Sequence, residues 1–112
     1  RHPAATSSAL WHLDLAQRHL RDPAGTSIDL TQRECRLLAL LGRQPGQSTP
    51  RTLLEEALYP QGGESAHQAL NTLIRPLRRK LGQAGVSAEL ILTDPGVGYR
   101  LVVPVRFNAA AS

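Results

Sequence analysis

From Ser65 to Gly82 the apolar side chains return every third or fourth residue, as Ala66, Leu70, Leu73, Ile74, Leu77 and Leu81. At 100° per residue these positions fall on one stripe, while Gln68, Asn71, Thr72, Arg75, Arg78 and Arg79 gather on the opposite arc. A chain with such a segment must build its core against one side of a helix and leave an arginine-rich side in water. Pro76 sits at the margin between the two. It has no N–H for the carbonyl of Thr72, and its ring crowds that carbonyl, which costs ~3 kcal/mol in a helix interior. The position predicts a single helix with a kink near Thr72 in preference to two short helices. Because Pro76 lies toward the exposed side, water can take the carbonyl that it leaves without a partner.

The hydrophobic period changes on either side of this segment. "LWHLDL" alternates, with Leu10, His12 and Asp14 opposite Trp11, Leu13 and Leu15, and "QRHLR" and "TSIDL" follow as short strands around the turn "DPAG". Three or four short antiparallel strands are expected before residue 31. A helix then starts at Thr31, which can cap it, with Glu34 reaching back and Leu30 stapling against Cys35; Gly42 or Gly46 ends it. A second helix is expected from Thr49-Pro50, cap and first helical residue, to Tyr59-Pro60. Ser65 and Gln68 read as another capping box, opening a third helix over 65–84. Beyond Gly85, "ELILT" and "YRLVV" flank "DPGVG" as a hairpin. The expected organisation is a linker over 1–8, one α+β domain over 9–105 and a flexible tail over 106–112.

At 112 residues the chain is long enough for a single core. The net charge of +4 lies entirely in one half. Residues 1–64 balance seven arginines against seven acidic side chains, whereas 65–112 hold five arginines and Lys80 against Glu89 and Asp94. A polyanion is the natural partner for that asymmetry, although a solvated helix face accounts for the charge equally well by itself. The lone cysteine, Cys35, rules out a disulfide within the chain and fits a reducing, cytoplasmic setting. No stretch reaches the ~18 apolar residues of a membrane span.

Enzyme chemistry finds little support. His2, His12, His19 and His67 share no metal-ligand spacing with one another or with Cys35. "GVGY" leads into a strand and not a helix, so it is no phosphate-cradling loop. No acidic pair is placed for acid–base work. Neither a metal, a cofactor nor a catalytic residue is expected.

Three helices, the last amphipathic and basic, followed by a hairpin give the order of a winged helix-turn-helix. A helix fits the DNA major groove, where base edges can be read. Arg75, Arg78 and Arg79 share one arc and can reach phosphates or bases together. Lys80 adds a phosphate-seeking charge, and the hairpin can bring Arg100 to a neighbouring phosphate. Twelve arginines to one lysine favour bidentate phosphate and guanine contacts. With aromatic residues at only 4%, stacking on single strands is a poor alternative.

"IDLTQRECRLLALLGRQPGQSTPRTLLEEALYP", "ALNTLIRPLRRKL" and "ILTDPGVGYRL" together resemble the OmpR/PhoB-type DNA-binding domain of bacterial two-component response regulators, over about residues 26–103. The resemblance implies a four-stranded N-terminal sheet, three helices and a C-terminal wing over 89–103. It implies double-stranded DNA as partner, bound head to tail on direct repeats. A loop over 59–65 would face RNA polymerase, and a receiver domain would precede residue 1. By position, Arg51, Tyr59, Gln68 and Arg78 match phosphate-contacting places of the family. Asn71 and Thr72 match base-contacting places in the major groove, and Thr93 a wing contact.

Two departures stand out. Pro76 replaces a base-reading arginine of the recognition helix, and Pro95 replaces a wing arginine that enters the minor groove, with Asp94 before it. Direct readout must then rest on Asn71, Thr72, Arg75 and Arg79, and weaker or differently specified binding is expected. The same departures support an alternative, a winged helix turned to docking on RNA polymerase or a partner regulator.

Overall fold

Each of the first three strands sends one apolar residue inward, and the pairing stacks the three. Trp11–Asp14 (β1), His19–Arg21 (β2) and Ser27–Asp29 (β3) are antiparallel neighbours with Leu13 opposite Leu20 and Leu20 opposite Ile28. All three side chains are buried. The structure, a computed structural model, describes residues 11–86 and 90–107. The linker over 1–8, Leu10 of the first strand, Glu89 of the wing and positions 108–112 of the tail lie outside the described residues.

The fourth strand of this sheet comes from the other end of the chain. Val105–Phe107 (β7) pairs in parallel with β1, Trp11 opposite Val105 and Leu13 opposite Phe107. Arg106 and Phe107 are therefore strand residues, contrary to their sequence assignment to a tail. The strand is set by backbone pairing with β1 next to Val105, which packs against the core, while Phe107, 39% exposed, lays its ring beside Gly42 at the end of the first helix.

Gln32–Gly42 (α1) begins as its sequence indicates. Thr31 Oγ1 accepts from Glu34 N at 3.1 Å and Glu34 Oε1 accepts from Thr31 N at 2.9 Å, a complete capping box, with Leu30 and Cys35 both in the core. The second helix departs from expectation. Thr49–Pro50 forms a short strand (β4) against Tyr99 and Gly98, so Pro50 is extended and caps the helix Arg51–Leu58 (α2) without being its first residue. The third helix, Gly63–Gln83 (α3), starts two residues early after Gly62, whose φ of 69° suits glycine. Ser65 is already inside the helix, and the Ser65–Gln68 capping box does not form.

α3 runs through Pro76 unbroken. Ala66 is buried, and Leu70, Ile74, Leu77 and Leu81 meet Leu37, Leu38 and Leu41 of α1 and Leu54 and Leu58 of α2 in one core. Each such leucine contributes ~1.5–3 kcal/mol by leaving water. Ile91–Asp94 (β5) and Gly98–Leu101 (β6) make the hairpin, with β4 on its far edge. Gly96, at φ 77°, makes the turn. The described residues thus form three helices between a four-stranded and a three-stranded sheet, the winged-helix arrangement.

Candidate nucleic-acid interface

With its apolar stripe buried, α3 shows three longitudinal lines to the outside. The outermost carries Gln68, Thr72, Arg75 and Arg79, all exposed. Arg75 and Arg79 have no ion pair or hydrogen bond among the described residues. Thr72 donates its hydroxyl to the Gln68 carbonyl at 3.0 Å, so that proton is spent within the helix. Of the four base readers expected from sequence, Thr72, Arg75 and Arg79 share this line with Gln68, which was expected at phosphate, while Asn71 lies on the neighbouring line.

The second line, His67, Asn71 and Arg78, faces α2 and the wing. Arg51, at the start of α2, binds it at several points. Its Nη2 donates to Asn71 Oδ1 at 2.6 Å and to the His67 carbonyl at 2.8 Å, and its Nη1 donates to the Tyr99 hydroxyl at 2.9 Å. Its Nε lies 2.9 Å from Glu55 Oε2 and 2.9 Å from His67 Nδ1. Arg51 is thus a cross-link between α2, α3 and β6, with Glu55 offsetting its charge. Arg78 donates from Nε and Nη2 to the Ile91 carbonyl at 3.1 and 2.9 Å, and from Nη2 to Thr93 Oγ1 at 2.8 Å. It fastens α3 to the wing. Its partners are neutral, so its positive charge remains, with Nε and Nη2 engaged and Nη1 unpaired among the described residues, and the Thr93 hydroxyl, an acceptor here, keeps its proton to donate.

The third line, Ala69, Leu73 and Lys80, faces α1. Lys80 Nζ donates to Glu34 Oε1 at 2.6 Å and to the Asp29 carbonyl at 3.0 Å. Glu34 is 6% exposed, so Lys80 neutralises a buried carboxylate. Lys80, expected at phosphate, is thus held by an internal carboxylate, because a basic residue beside the arginines in sequence points to the opposite flank of the helix. Arg100, expected at a neighbouring phosphate, is likewise held by a carboxylate. Its Nε lies 3.2 Å from Asp94 Oδ2, and the Asp94 carboxylate also accepts from Ser48 Oγ. Asp94 is therefore compensated within the wing and does not present a bare negative charge at its tip. Tyr59 lies at the α1 side, its hydroxyl donating to the Ala69 carbonyl at 3.3 Å and its ring receiving the Arg33 guanidinium at 4.4 Å.

Sequence reasoning missed Glu55, His67 and Tyr99 as the frame around Arg51, and it missed Arg33 and Arg36. The last two carried a signal: they stand three residues apart on α1, off the stripe of Leu37, Leu38 and Leu41. Burial pushes the Cys35 thiol above its ordinary pKa, in keeping with a core side chain. Among the described residues no three His, Cys, Asp or Glu side chains gather as a metal site, and no helix is long and apolar enough to cross a membrane.

Residues 25–101 match the family described as "Transcriptional regulatory protein, C terminal". The chain belongs to this family. It is a family of transcription regulators and not an enzyme class. Relatives include the transcriptional regulatory protein QseB of Escherichia coli O157:H7, 40% identical over 70% of this chain and 33% of QseB. Response regulator protein PmrA of Pseudomonas aeruginosa is 36% identical over 72% of this chain and 34% of its own length. This family member thus spans about a third of the length of the curated relatives it matches. Among solved structures, the DNA-binding domain of Bacillus subtilis CssR superposes with a TM-score of 0.61 at 26% identity, covering 81% of this chain and 98% of CssR's. The DNA-binding domain of response regulator AdeR, solved in complex with an intercistronic region, shares the fold with a TM-score of 0.68 at 21% identity over 84% of this chain and 95% of AdeR's.

Proposed function

We propose that this chain is the DNA-binding output domain of a transcriptional response regulator, with α3 in the major groove and the β5–β6 wing on the adjacent backbone or minor groove. The observation that carries the reading is the outer line of α3: four exposed polar side chains, two of them unpaired arginines, on a rigid helix backed by the core. A helix so presented fits the ~12 Å width of the groove. Asn71, Thr72, Arg75 and Arg79 are the proposed base readers, and Gln68, Tyr59 and Arg78 the proposed phosphate contacts. Arg51 and the Tyr59 hydroxyl reach phosphate only if their internal bonds open, whereas Thr93, which accepts from Arg78, keeps its O–H to donate. The family relationship and the named relatives support this reading.

In the whole protein a receiver domain precedes residue 1, the loop over 59–65 meets RNA polymerase, and two copies bind direct repeats head to tail in the cytoplasm. The domain proper then extends to β7. The docking alternative loses one of its supports, since Asp94 is paired with Arg100.

Fluorescence anisotropy against random duplex tests the reading. Binding that weakens steeply between about 50 and about 200 mM salt is expected, because neutralised phosphates release counterions. Salt-insensitive or undetectable binding overturns it.

A further inference from the structure

A helix lying in the major groove has one phosphate strand on each side. On the wing side of α3 the cations are committed: Arg51 to Glu55, Asn71 and Tyr99, Arg78 to Ile91 and Thr93, Arg100 to Asp94. The α1 side is different. An open cleft runs there between the first turns of α1 and the first half of α3, with Arg33 and Arg36 on one wall, Gln68 and Thr72 on the other and Tyr59 between them. No acidic side chain lines it. Glu34, the nearest carboxylate in sequence, is buried and neutralised by Lys80. Arg36 is exposed and makes no ion pair or hydrogen bond among the described residues. Arg33 is held over the Tyr59 ring at 4.4 Å, which orders its guanidinium while leaving its N–H groups unpaired.

We infer that this cleft is a phosphate clamp for the second DNA strand, with Arg33 and Arg36 as its ligands. The inference rests on the DNA-binding reading and adds to it a site on a helix outside the recognition helix and the wing. Gln68 and Thr72 border both the cleft and the outer line of α3, so a strand in the cleft lies directly beside a duplex read by that line. The two arginines stand three residues apart on one helix face, a spacing at which both can reach a single phosphodiester or two successive ones. Their charge faces outward unopposed and their N–H groups are unpaired among the described residues, whereas on the wing side Arg51 and Arg100 face carboxylates and Arg78 has Nε and Nη2 engaged.

Salt titration on random duplex separates the clamp from a merely solvated pair. Each phosphate contact contributes about −0.9 to the slope of log K against log salt. Arg36→Ala, which removes no bond within the fold, is expected to flatten the slope by about one. The Arg33→Ala/Arg36→Ala double variant is expected to flatten it by about two, so that the affinity lost between about 50 and about 200 mM salt shrinks roughly tenfold. Arg43→Ala, at the far end of the same helix, keeps the wild-type slope. Arg33→Lys retains the charge without the planar stack and recovers most of the slope relative to Arg33→Ala. Arg36→Ala and the double variant with wild-type slopes overturn the clamp while leaving the DNA reading intact, and assign the cleft instead to a solvated face or an acidic protein segment. A wild type that shows no salt-dependent binding overturns the DNA reading and the clamp with it.

Discussion

Arg51 Nη2 stands 2.6 Å from Asn71 Oδ1. A guanidinium only donates, so the Asn71 amide must turn its carbonyl to Arg51 and its NH2 away. Asparagine reads adenine bidentately, with one acceptor and one donor. With its carbonyl engaged in a charge-assisted bond, Asn71 offers donors to the groove. Wild-type protein selecting from a randomised duplex is expected to prefer an acceptor edge, guanine or thymine, at the position that Asn71 meets. Arg51→Met releases the carbonyl and shifts the preference toward adenine. Sequencing of the selected pools reads the result, and adenine selected by the wild type contradicts the argument.

Lys80 is expected to matter for folding and not for DNA. Removing it leaves Glu34 buried without its cation, a loss of several kcal/mol for a fully buried pair. Lys80 itself is 35% exposed, so water recovers part of that loss. Lys80→Met should lower stability by about 2 kcal/mol in urea unfolding, seen as a lower midpoint at an unchanged m-value. Under folding conditions its salt slope on random duplex stays at the wild-type value. A slope flattened by one returns Lys80 to the phosphate contacts.

Gly98 has no room for a side chain. A Cβ there overlaps the Thr49 carbonyl and comes within 2.8 Å of Arg51 N, both backbone atoms that cannot rotate aside. Gly98→Ala must push β4 off β6, at a cost of about 3 kcal/mol. Because Arg51 follows β4 directly, its bonds to Tyr99 and Asn71 weaken too. Loss of amide protection at Tyr99, one partner in the β4–β6 pairing, is the local signature in hydrogen exchange.

The backbone arrangement was largely legible because its signals are local. Thr31 and Glu34 announce the start of α1, the stripe from Ala66 to Leu81 announces α3, and "DPGVG" announces the wing turn. What escaped was set by partners distant in sequence. Arg106 and Phe107 became strand residues through pairing with His12 and Leu13, and Pro50 became extended through pairing with Gly98. At the site, charge could be counted from sequence but not its commitments. In sequence Arg51, Arg78, Lys80 and Arg100 read as free phosphate contacts until their partners, up to 51 residues away for Lys80, were in place. Helical angle alone foretold part of this, since Lys80 lies off the outer line of α3.

Cys35 gives the pH dependence a sign. Burial raises its thiol pKa most, with Arg18 lowering it and Asp14 raising it further. The unfolded chain therefore loses this proton first as pH rises. The thiol's contribution to stability is fully present below its unfolded pKa and is lost as pH rises through the folded one. Urea midpoints of the wild type should fall more steeply in alkali than those of Cys35→Ala, in which this titration is absent. At neutral pH a thiol-specific disulfide reagent should react with Cys35 only as fast as the fold opens.

Pro76 is the last residue whose effect can be set against a number. In a helix interior proline costs ~3 kcal/mol relative to alanine. Two effects reduce that here. Pro76 is exposed, so water reaches the Thr72 carbonyl that it leaves unpaired, and proline stiffens the unfolded chain by about 0.4–1 kcal/mol, which alanine gives back. Pro76→Ala should therefore stabilise the domain by about 1–2 kcal/mol, raising the urea midpoint. Pro76→Arg should gain similarly and add a cation on the flank of α3 between Thr72 and Lys80. If the proline tunes how Gln68 and Thr72 meet DNA relative to Arg79, both variants also change the base preference; if affinity and preference stay at wild-type values in both, the proline has no part in recognition and affects only helix stability.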